Sequence, residues 1–405
     1  MNESSPIKPR IALWFRYGPA EHAELFHAMP DIVTALAEYA EVHYFGCASD
    51  KPIPDEIARH AVIHHLPFRV DRSSSRDKMW KTLLWLCSIP WMGWWCRRHR
   101  VAAVYIDETV PLTAPLARLF YGRNVAMTIA DFFVDVYAEH NRWIRWCGGA
   151  VKRLDLAAWR RLPLLFTRAK ATRPYLREQG IDEQRVHPVY DPCDFNIYHP
   201  EERAAARRAL ALPDDAIVLV HHGILHPNKG NDRILKAIGQ HRDRFPKLIY
   251  LLIGDGPHMT TLRELVRTLQ LEDCARFTGW LPSLTEVNTA LNAGDIGLVM
   301  RIGQRSDDFH MTGALVHSMA CGLPVLAARL GGISEVIEDD RNGYLFDPHT
   351  LADFPDQLER LYSSKETRQR LGATALQDAH QLFAMPKVTR RTVEPLLRLL
   401  GVGQT

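Results

Sequence analysis

HHGILHPNKGNDRILKA (221–237), LIYLLIGDGP (248–257) and HSMACGLPVLAARLGGISEVIEDDRNGYLF (317–346) decide how this chain is read. Each sets glycines where an apolar run gives way to a helical pattern. Glycine lets main-chain N–H groups approach an anion closely, and a helix start adds positive field. Repeated within one stretch, such turns hold a phosphorylated ligand above the ends of parallel strands. Lys229 stands among the first glycines, where a diphosphate needs a positive charge.

Outward from this core, Ala216–His221, Leu248–Ile253, Ala275–Phe277, Asp295–Met300 and Gly322–Ala327 read as strands. Helical patterns at 231–239, 258–270 and 312–320 alternate with them, and another starts at Gly331. The turn Thr278-Gly279-Trp280-Leu281-Pro282 offers main-chain groups to a nucleobase edge, with Trp280 beside it. The first half repeats the alternation: strands at 9–15, 40–45, 61–66, 101–106 and 124–130, helices at 23–38 and 110–121. This rhythm favours parallel sheets covered on both faces. Residues 185–200, rich in proline and aspartate, fit no regular helix and mark a boundary near 195–210. We therefore expect domains at 1–200 and 201–385, with 386–405 a helix packing back toward the first domain, and a ligand cleft between them.

A chain of 405 residues is too long for one ordinary core. Apolar residues make up 46%, which argues against extensive disorder. A formal charge of +3 without a basic, aromatic-interleaved stripe gives no nucleic-acid signature. Cys47, Cys87, Cys96, Cys147, Cys193, Cys274 and Cys321 form no CxxC pair, and the first residues show no secretory signal. The expected location is the cytoplasm.

Ten tryptophans occur, eight of them between Trp80 and Trp159, so one region is singled out. WKTLLWLCSIPWMGWWCRR (80–98) is too short an apolar run to span a bilayer, contains Pro90, and has basic flanks within 72–100. NRWIRWCGGAVKRLDLAAWRR (141–161) repeats the pairing of tryptophan with arginine. Both suit an anionic membrane surface, at the inner face of the cytoplasmic membrane. An aromatic core, a cleft wall or an oligomer interface are the other readings.

Lys229-Gly230, Gly254–Pro257, Met319–Val325 and Gly331–Glu335 together resemble the KG, GDGP, MACG-PV and GG-x-E signatures of a large retaining glycosyltransferase family. That family includes glycogen and sucrose synthases and bacterial mannosyltransferases. The resemblance is strong over 218–348 and looser before it. It implies the GT-B fold of family-4-like enzymes: α/β, with two Rossmann-like domains facing across a cleft. It also implies a nucleoside-diphosphate sugar donor, with UDP or GDP expected first, no metal or other cofactor, and transfer to a hydroxyl with retention.

On this likeness Gly223, Lys229, Gly254, Gly256, Gly279, Trp280, Thr312, Gly313 and His317 are donor-site candidates, and Lys229 and Arg301 neutralise the diphosphate. Tyr17, Gly18, Asp107, Asp131 and His310 are the acceptor or cleft candidates, Asp131 also as a weak base.

Three positions depart from the family pattern. Ile224 stands where an arginine is usual, leaving His222, His226, Arg301 or Arg305 to supply the charge, with Arg301 preferred. Phe309 and His317 replace two glutamates spaced eight apart; His317 can still hydrogen-bond a ribose hydroxyl. Asp307, Asp308 and the helix start at Thr312-Gly313 sit beside the vacated position.

The expected activity is hexosyl transfer to a carbohydrate or lipid-linked acceptor in polysaccharide or glycolipid assembly. Alternatives are an impaired sugar-nucleotide-binding scaffold at the membrane and a sugar-nucleotide epimerase.

Overall fold

The computed structural model describes residues 8–69, 75–107, 109–130, 142–309 and 311–402. Two compact units divide the chain: Met1–Pro192 with Met385–Thr405, and Cys193–Ala384. Asp131 and His310 lie outside the described residues.

The first unit opens with β1 (Arg10–Trp14), α1 (Pro19–Leu25), α2 (Met29–Ala37), β2 (Glu41–Ala48), α3 (Asp55–His60), β3 (Ala61–Arg69) and α4 (Ser75–Arg98). It continues through β4 (Ala103–Ile106), α5 (Thr113–Phe120), β5 (Val125–Ile129), α6 (Arg142–Trp159), β6 (Leu164–Thr167), α7 (Thr172–Glu178) and β7 (Val186–Pro188). The strands join in the order β3-β2-β1-β4-β5-β6-β7, and every neighbouring pair is parallel. The order reverses at β1, so the C-terminal ends of β1 and β4 frame a crevice of the kind that receives ligands in open α/β sheets.

Helices on both faces explain why the inner strands β1, β4, β5 and β6 are buried almost throughout rather than alternating, whereas edge strand β3 is largely exposed. Ile32, Val33 and Leu36 of α2 join Ile11 and Leu13 of β1 in one buried cluster. The last helix of the chain, Met385–Leu399, adds Val388, Val393 and Leu396 to it. One long helix over 23–38 gives way to two, because Pro30 sits in the first turn of α2, where its missing N–H costs nothing.

The second unit runs α8 (Arg203–Ala209), β8 (Ile217–His222), α9 (Asn231–Gln240), β9 (Leu248–Ile253), α10 (Met259–Thr268), β10 (Ala275–Gly279), α11 (Leu284–Asn292) and β11 (Ile296–Val299). Then come α12 (Gly313–Ala320), β12 (Val325–Ala328), α13 (Gly331–Ser334), β13 (Gly343–Phe346), α14 (Phe354–Ser363) and α15 (Lys365–Phe383), before α16 (Met385–Leu399) returns to the first unit. Its strand order, β10-β9-β8-β11-β12-β13, reverses at β8 in the same way. Ser364 separates α14 from α15 by accepting a hydrogen bond from Thr367 N (3.0 Å), a side-chain N-cap.

The tryptophan-rich stretch is a single helix through Pro90. Its aromatic residues divide between two environments. Trp85 is fully buried with Ile89, Met92 and Cys96, whereas Trp80, Trp91 and Trp94 are exposed. Trp95 stacks on His99 and packs against Phe45 and His64. In α6, Trp159 is buried. Among the described residues no helix is long and apolar enough to cross a membrane.

Candidate functional site

The crevice at the end of β8 and β11 is where the second unit concentrates its chemistry. β8 ends at His222 and turns at Gly223, whose φ of 125° favours glycine. The next loops are laced through their main chains. Gly223 N donates to Ile253 O (2.9 Å), Leu225 N to Asp255 O (2.9 Å), and Gly254 N to Gly279 O (3.1 Å).

These glycines therefore do two different jobs. A Cβ on Gly254 would stand 2.2 Å from Gly223 O, and one on Gly256 would stand 2.4 Å from Leu225 O. Those two positions serve loop-on-loop packing. Gly223 and Gly279 also have positive φ, but a Cβ on either would meet nothing within 4 Å. Their backbones border open space at the strand ends. Trp280, directly after Gly279, is 69% exposed.

Lys229 closes a short 3-10 turn, Pro227–Lys229, ahead of α9. His226 Nδ1 accepts from Asn228 N (3.3 Å) and so holds the start of that turn. Ile302 N donates to Asn228 O (3.1 Å), which ties the Lys229 turn to the loop after β11. That loop carries Arg301, so the topology brings together two cations 72 positions apart in sequence (301 − 229). Burial pushes the Lys229 ammonium down to about 8, with Arg301 lowering it further and Asp307 opposing.

Asp307, 1% exposed, is the only carboxylate paired with Arg301 among the described residues (Arg301 NH1–Asp307 Oδ1, 2.8 Å). Its other oxygen accepts from Gln304 N (3.0 Å), and Asp308 accepts from Gly331 N (3.1 Å) at the start of α13. Both acids are thus occupied by local structure. Arg301 Nε remains a buried donor without an acceptor. A buried, unsatisfied guanidinium N–H beside a second cation is costly unless an anion completes it.

His317 lies on α12, and its Nδ1 is 3.0 Å from His222 Nε2. Tyr198 stacks on the His317 ring, centroid to centroid 3.7 Å and nearly parallel. Burial, then the Lys229 charge, pushes His222 down to about 4, so it is neutral near pH 7. Thr312 caps α12 by accepting from Leu315 N (3.3 Å), and Gly313, its first residue, is exposed. Ile224 is 57% exposed, an apolar side chain at the mouth of the crevice. Among the described residues no group of three or more His, Cys, Asp or Glu side chains could hold a metal ion.

At the corresponding strand ends of the first unit the buried charge is paired from within. Asp107, just past β4, is 3.0 Å from His22 Nε2 and 3.2 Å from Arg168 NH2. His22 Nδ1 reaches Tyr44 OH (2.7 Å), and the imidazole stacks on Phe15. Burial would raise the Asp107 carboxyl, but Arg168 and His22 outweigh it and hold the group well below the usual range. Tyr17 and Gly18 follow β1. Arg16 donates to Tyr17 OH (3.1 Å), and a Cβ on Gly18 would meet Cys47 O at 2.9 Å. His22 and Arg168 carry no motif that sequence reading could single out; only the fold brings them to Asp107.

Comparisons with known proteins agree with this architecture. The sequence model of the family "Glycosyl transferases group 1" matches residues 202–378. A D-inositol 3-phosphate glycosyltransferase from Nocardioides sp. is 32% identical over 226 residues, 53% of this chain and 48% of that protein. The N-acetyl-alpha-D-glucosaminyl L-malate synthase of Bacillus anthracis is 26% identical over 209 residues, covering 50% and 51%. The chain thus spans about half the length of the curated relatives it matches.

Among solved structures, Anabaena HepE in complex with UDP superposes with a TM-score of 0.72 at 18% identity, covering 96% of this chain and all of that one. Sucrose-phosphate synthase from Thermosynechococcus elongatus gives 0.74 at 16% identity, over 97% of this chain and 100% of that one. Residues 202–378 are therefore similar to the group 1 glycosyl transferases, and the two Rossmann-like domains have the GT-B fold.

Proposed function

We propose that this protein transfers a hexose-like sugar from a nucleoside-diphosphate sugar to an acceptor hydroxyl, with retention of configuration. The observation that carries the reading is the meeting of Lys229 and Arg301 at the end of β8 and β11, with Arg301 Nε left unpaired. Two cations with one carboxylate between them leave net positive charge for a diphosphate. UDP in the crystal structure of HepE supports a nucleotide ligand on this fold.

In this reading the bond from the anomeric carbon to the diphosphate oxygen breaks and a bond to the acceptor oxygen forms. The departing diphosphate takes the acceptor proton. Lys229 and Arg301 stabilise the charge that grows on it, an effect strongest where water is excluded. The amides at Gly223 and at the start of α12 (Thr312, Gly313) add partial positive charge. His317 hydrogen-bonds the ribose, and Gly279 with Trp280 borders the base. Gly254 and Gly256 act indirectly, by letting the loops close on each other.

Tyr17, Gly18 and the crevice after β4 serve the acceptor side, and Asp131 is the acceptor contact to test by substitution. Asp107 holds that crevice in shape through His22 and Arg168. The acceptor is a carbohydrate or a lipid-linked sugar of polysaccharide or glycolipid assembly, met at the cytoplasmic face of the membrane. UDP and GDP are the nucleotides to try first.

Calorimetric titration with UDP-, GDP-, TDP- and ADP-sugars tests the donor half. Saturable binding of one series, lost in Lys229→Ala and in Arg301→Gln, is the expected result. Absence of binding by folded wild-type protein across the series would remove the donor site. Release of nucleoside diphosphate without acceptor, abolished by Lys229→Ala, separates an enzyme from an impaired binding scaffold. A changed sugar released without loss of the diphosphate would identify an epimerase instead.

A further inference from the structure

Helix α4 presents a second feature that donor chemistry does not use. Six of its exposed residues are Trp80, Leu83, Cys87, Trp91, Trp94 and Arg98; Arg97, also exposed, lies beside this set toward α5. At 100° per residue these six fall within an arc of about 80°. The buried set Trp85, Ser88, Ile89, Met92 and Cys96 occupies the opposite side. An apolar face toward the core is ordinary for a surface helix; a second apolar stripe toward solvent is not.

The stripe runs directly into a basic cluster. Gly93 lets α4 approach α5 so closely that a Cβ there would stand 2.8 Å from Phe120. Arg97 crosses the same junction, donating to Tyr121 O (2.8 Å) and Leu119 O (3.2 Å). Leu119 is 66% exposed. Arg118 donates to Arg161 O (2.9 Å), which brings Arg118, Arg123 and Arg161 together beyond the end of the stripe. Burial, then Arg161 and Arg123, lowers the Arg118 guanidinium below its ordinary value. Arg98, Arg123 and Arg161 have no ion-pair partner among the described residues. The sequence supplies no carboxylate from Met79 to Ile106 or from Thr109 to Ala130.

From this juxtaposition we infer that the outer face of α4, continued by Leu119 and the arginines around α5, docks the protein on a negatively charged lipid bilayer. Tryptophan rings have an apolar body and one N–H, which suits the headgroup boundary. The unpaired arginines meet the phosphates of anionic lipids, whose field falls off within a Debye length. A protein partner would bring its own carboxylates to these arginines, but such contacts bury tryptophans in pockets rather than along an open helical stripe. The surface itself stands on α4 and α5; only its link to a lipid-linked acceptor rests on the transferase reading.

The test uses the full chain with vesicles of phosphatidylglycerol and of phosphatidylcholine, separated by flotation. Wild type is expected to float with phosphatidylglycerol, far less with phosphatidylcholine, and to be released by high salt. Trp80→Ser, Trp91→Ser and Trp94→Ser combined should reduce bound protein about tenfold or more. Arg98→Gln, Arg123→Gln and Arg161→Gln combined should remove the preference for the anionic lipid. All these side chains are exposed, so the melting temperature and the nucleotide affinity should stay at wild-type values.

Equal flotation of wild type and the tryptophan variant would overturn the proposal, as would no flotation of folded wild type. A wild type that is dimeric by light scattering, with a monomeric tryptophan variant, would assign the stripe to a second copy instead. Donor titration of the same preparations keeps the two readings apart: donor binding without vesicle binding defeats the surface alone.

Discussion

The two strand-order reversals of this molecule share a topology and differ in charge. At the end of β4 the acid Asp107 is fully engaged, by His22 on one oxygen and Arg168 on the other. At the end of β8 and β11 the excess is positive, and one of its donors, Arg301 Nε, has no acceptor. One buried charge is paired by the chain itself, and the other cluster keeps an unpaired donor. The same topology therefore yields a charge-balanced junction around Asp107 and, in the reading proposed above, an anion site at Lys229 and Arg301, according to whether the buried charges balance.

Removing the partner at the charge-balanced junction should have the largest effect. Arg168→Ala leaves a buried carboxylate, and the expected loss of stability is about 3–5 kcal/mol by urea unfolding. Asp107 is held below its unfolded value, so this stability is full above the unfolded carboxylate range. It is lost as pH falls through the folded value, and the acid limb of a stability profile should flatten in Asp107→Asn. A loss below about 1 kcal/mol for Arg168→Ala would mean the junction is not closed by charge.

At the open site Lys229→Ala should behave the opposite way. Donor affinity should fall about 10- to 100-fold, the worth of a charge-assisted contact. Stability should hold or rise slightly, because a partly buried ammonium is removed. Equal stability losses for Lys229→Ala and Arg168→Ala would erase the distinction between the two crevices.

The Lys229 ammonium also predicts a pH window. An anionic ligand favours the protonated form, so donor affinity is full below about 8 and declines as pH rises through about 8. The decline should not exceed about tenfold per pH unit, and it should vanish in Lys229→Ala. A flat profile in the wild type would mean the ammonium does not meet the ligand.

The smallest effects come from the glycines, and they sort by packing. Gly223→Ala should cost about 1–3 kcal/mol for its positive φ alone. Gly254→Ala has the same φ and in addition drives a methyl into Gly223 O, so it should cost more. Thermal melts of the pair compare them directly. The reverse order would contradict the loop packing.

Much of the second unit was legible from residues close in sequence. Leu248–Ile253, six apolar residues before Gly254, is β9 as read. The strand read from Gly322 begins only at Val325. Leu323 N donates to Ser318 O at the end of α12, and Pro324 has no N–H to give to the sheet. β6, β7 and β13 went unread. They are three or four residues long, and unlike the equally short β4 they do not lie within a longer unbroken apolar run. The tryptophans of 80–96 could not be divided by composition, since Trp85 and Trp94 look alike until α4 turns one inward and the other outward.

The site follows the same rule. Lys229, Gly223 and Thr312 were named because turn chemistry and helix starts are written in neighbouring residues. The pairings of Arg301 with Lys229, His317 with His222 and Asp107 with His22 and Arg168 span from 61 to 95 positions, apart from the local Arg301–Asp307 bridge.

The sequence by itself determined the α/β class, the glycine turns of the second unit and the likeness of residues 202–378 to group 1 glycosyl transferases, because these rest on local backbone demands. Only the tertiary structure decided which charges cancel and which stay available. Burial and pairing depend on strands that meet across the sheet, and no spacing along the chain encodes them.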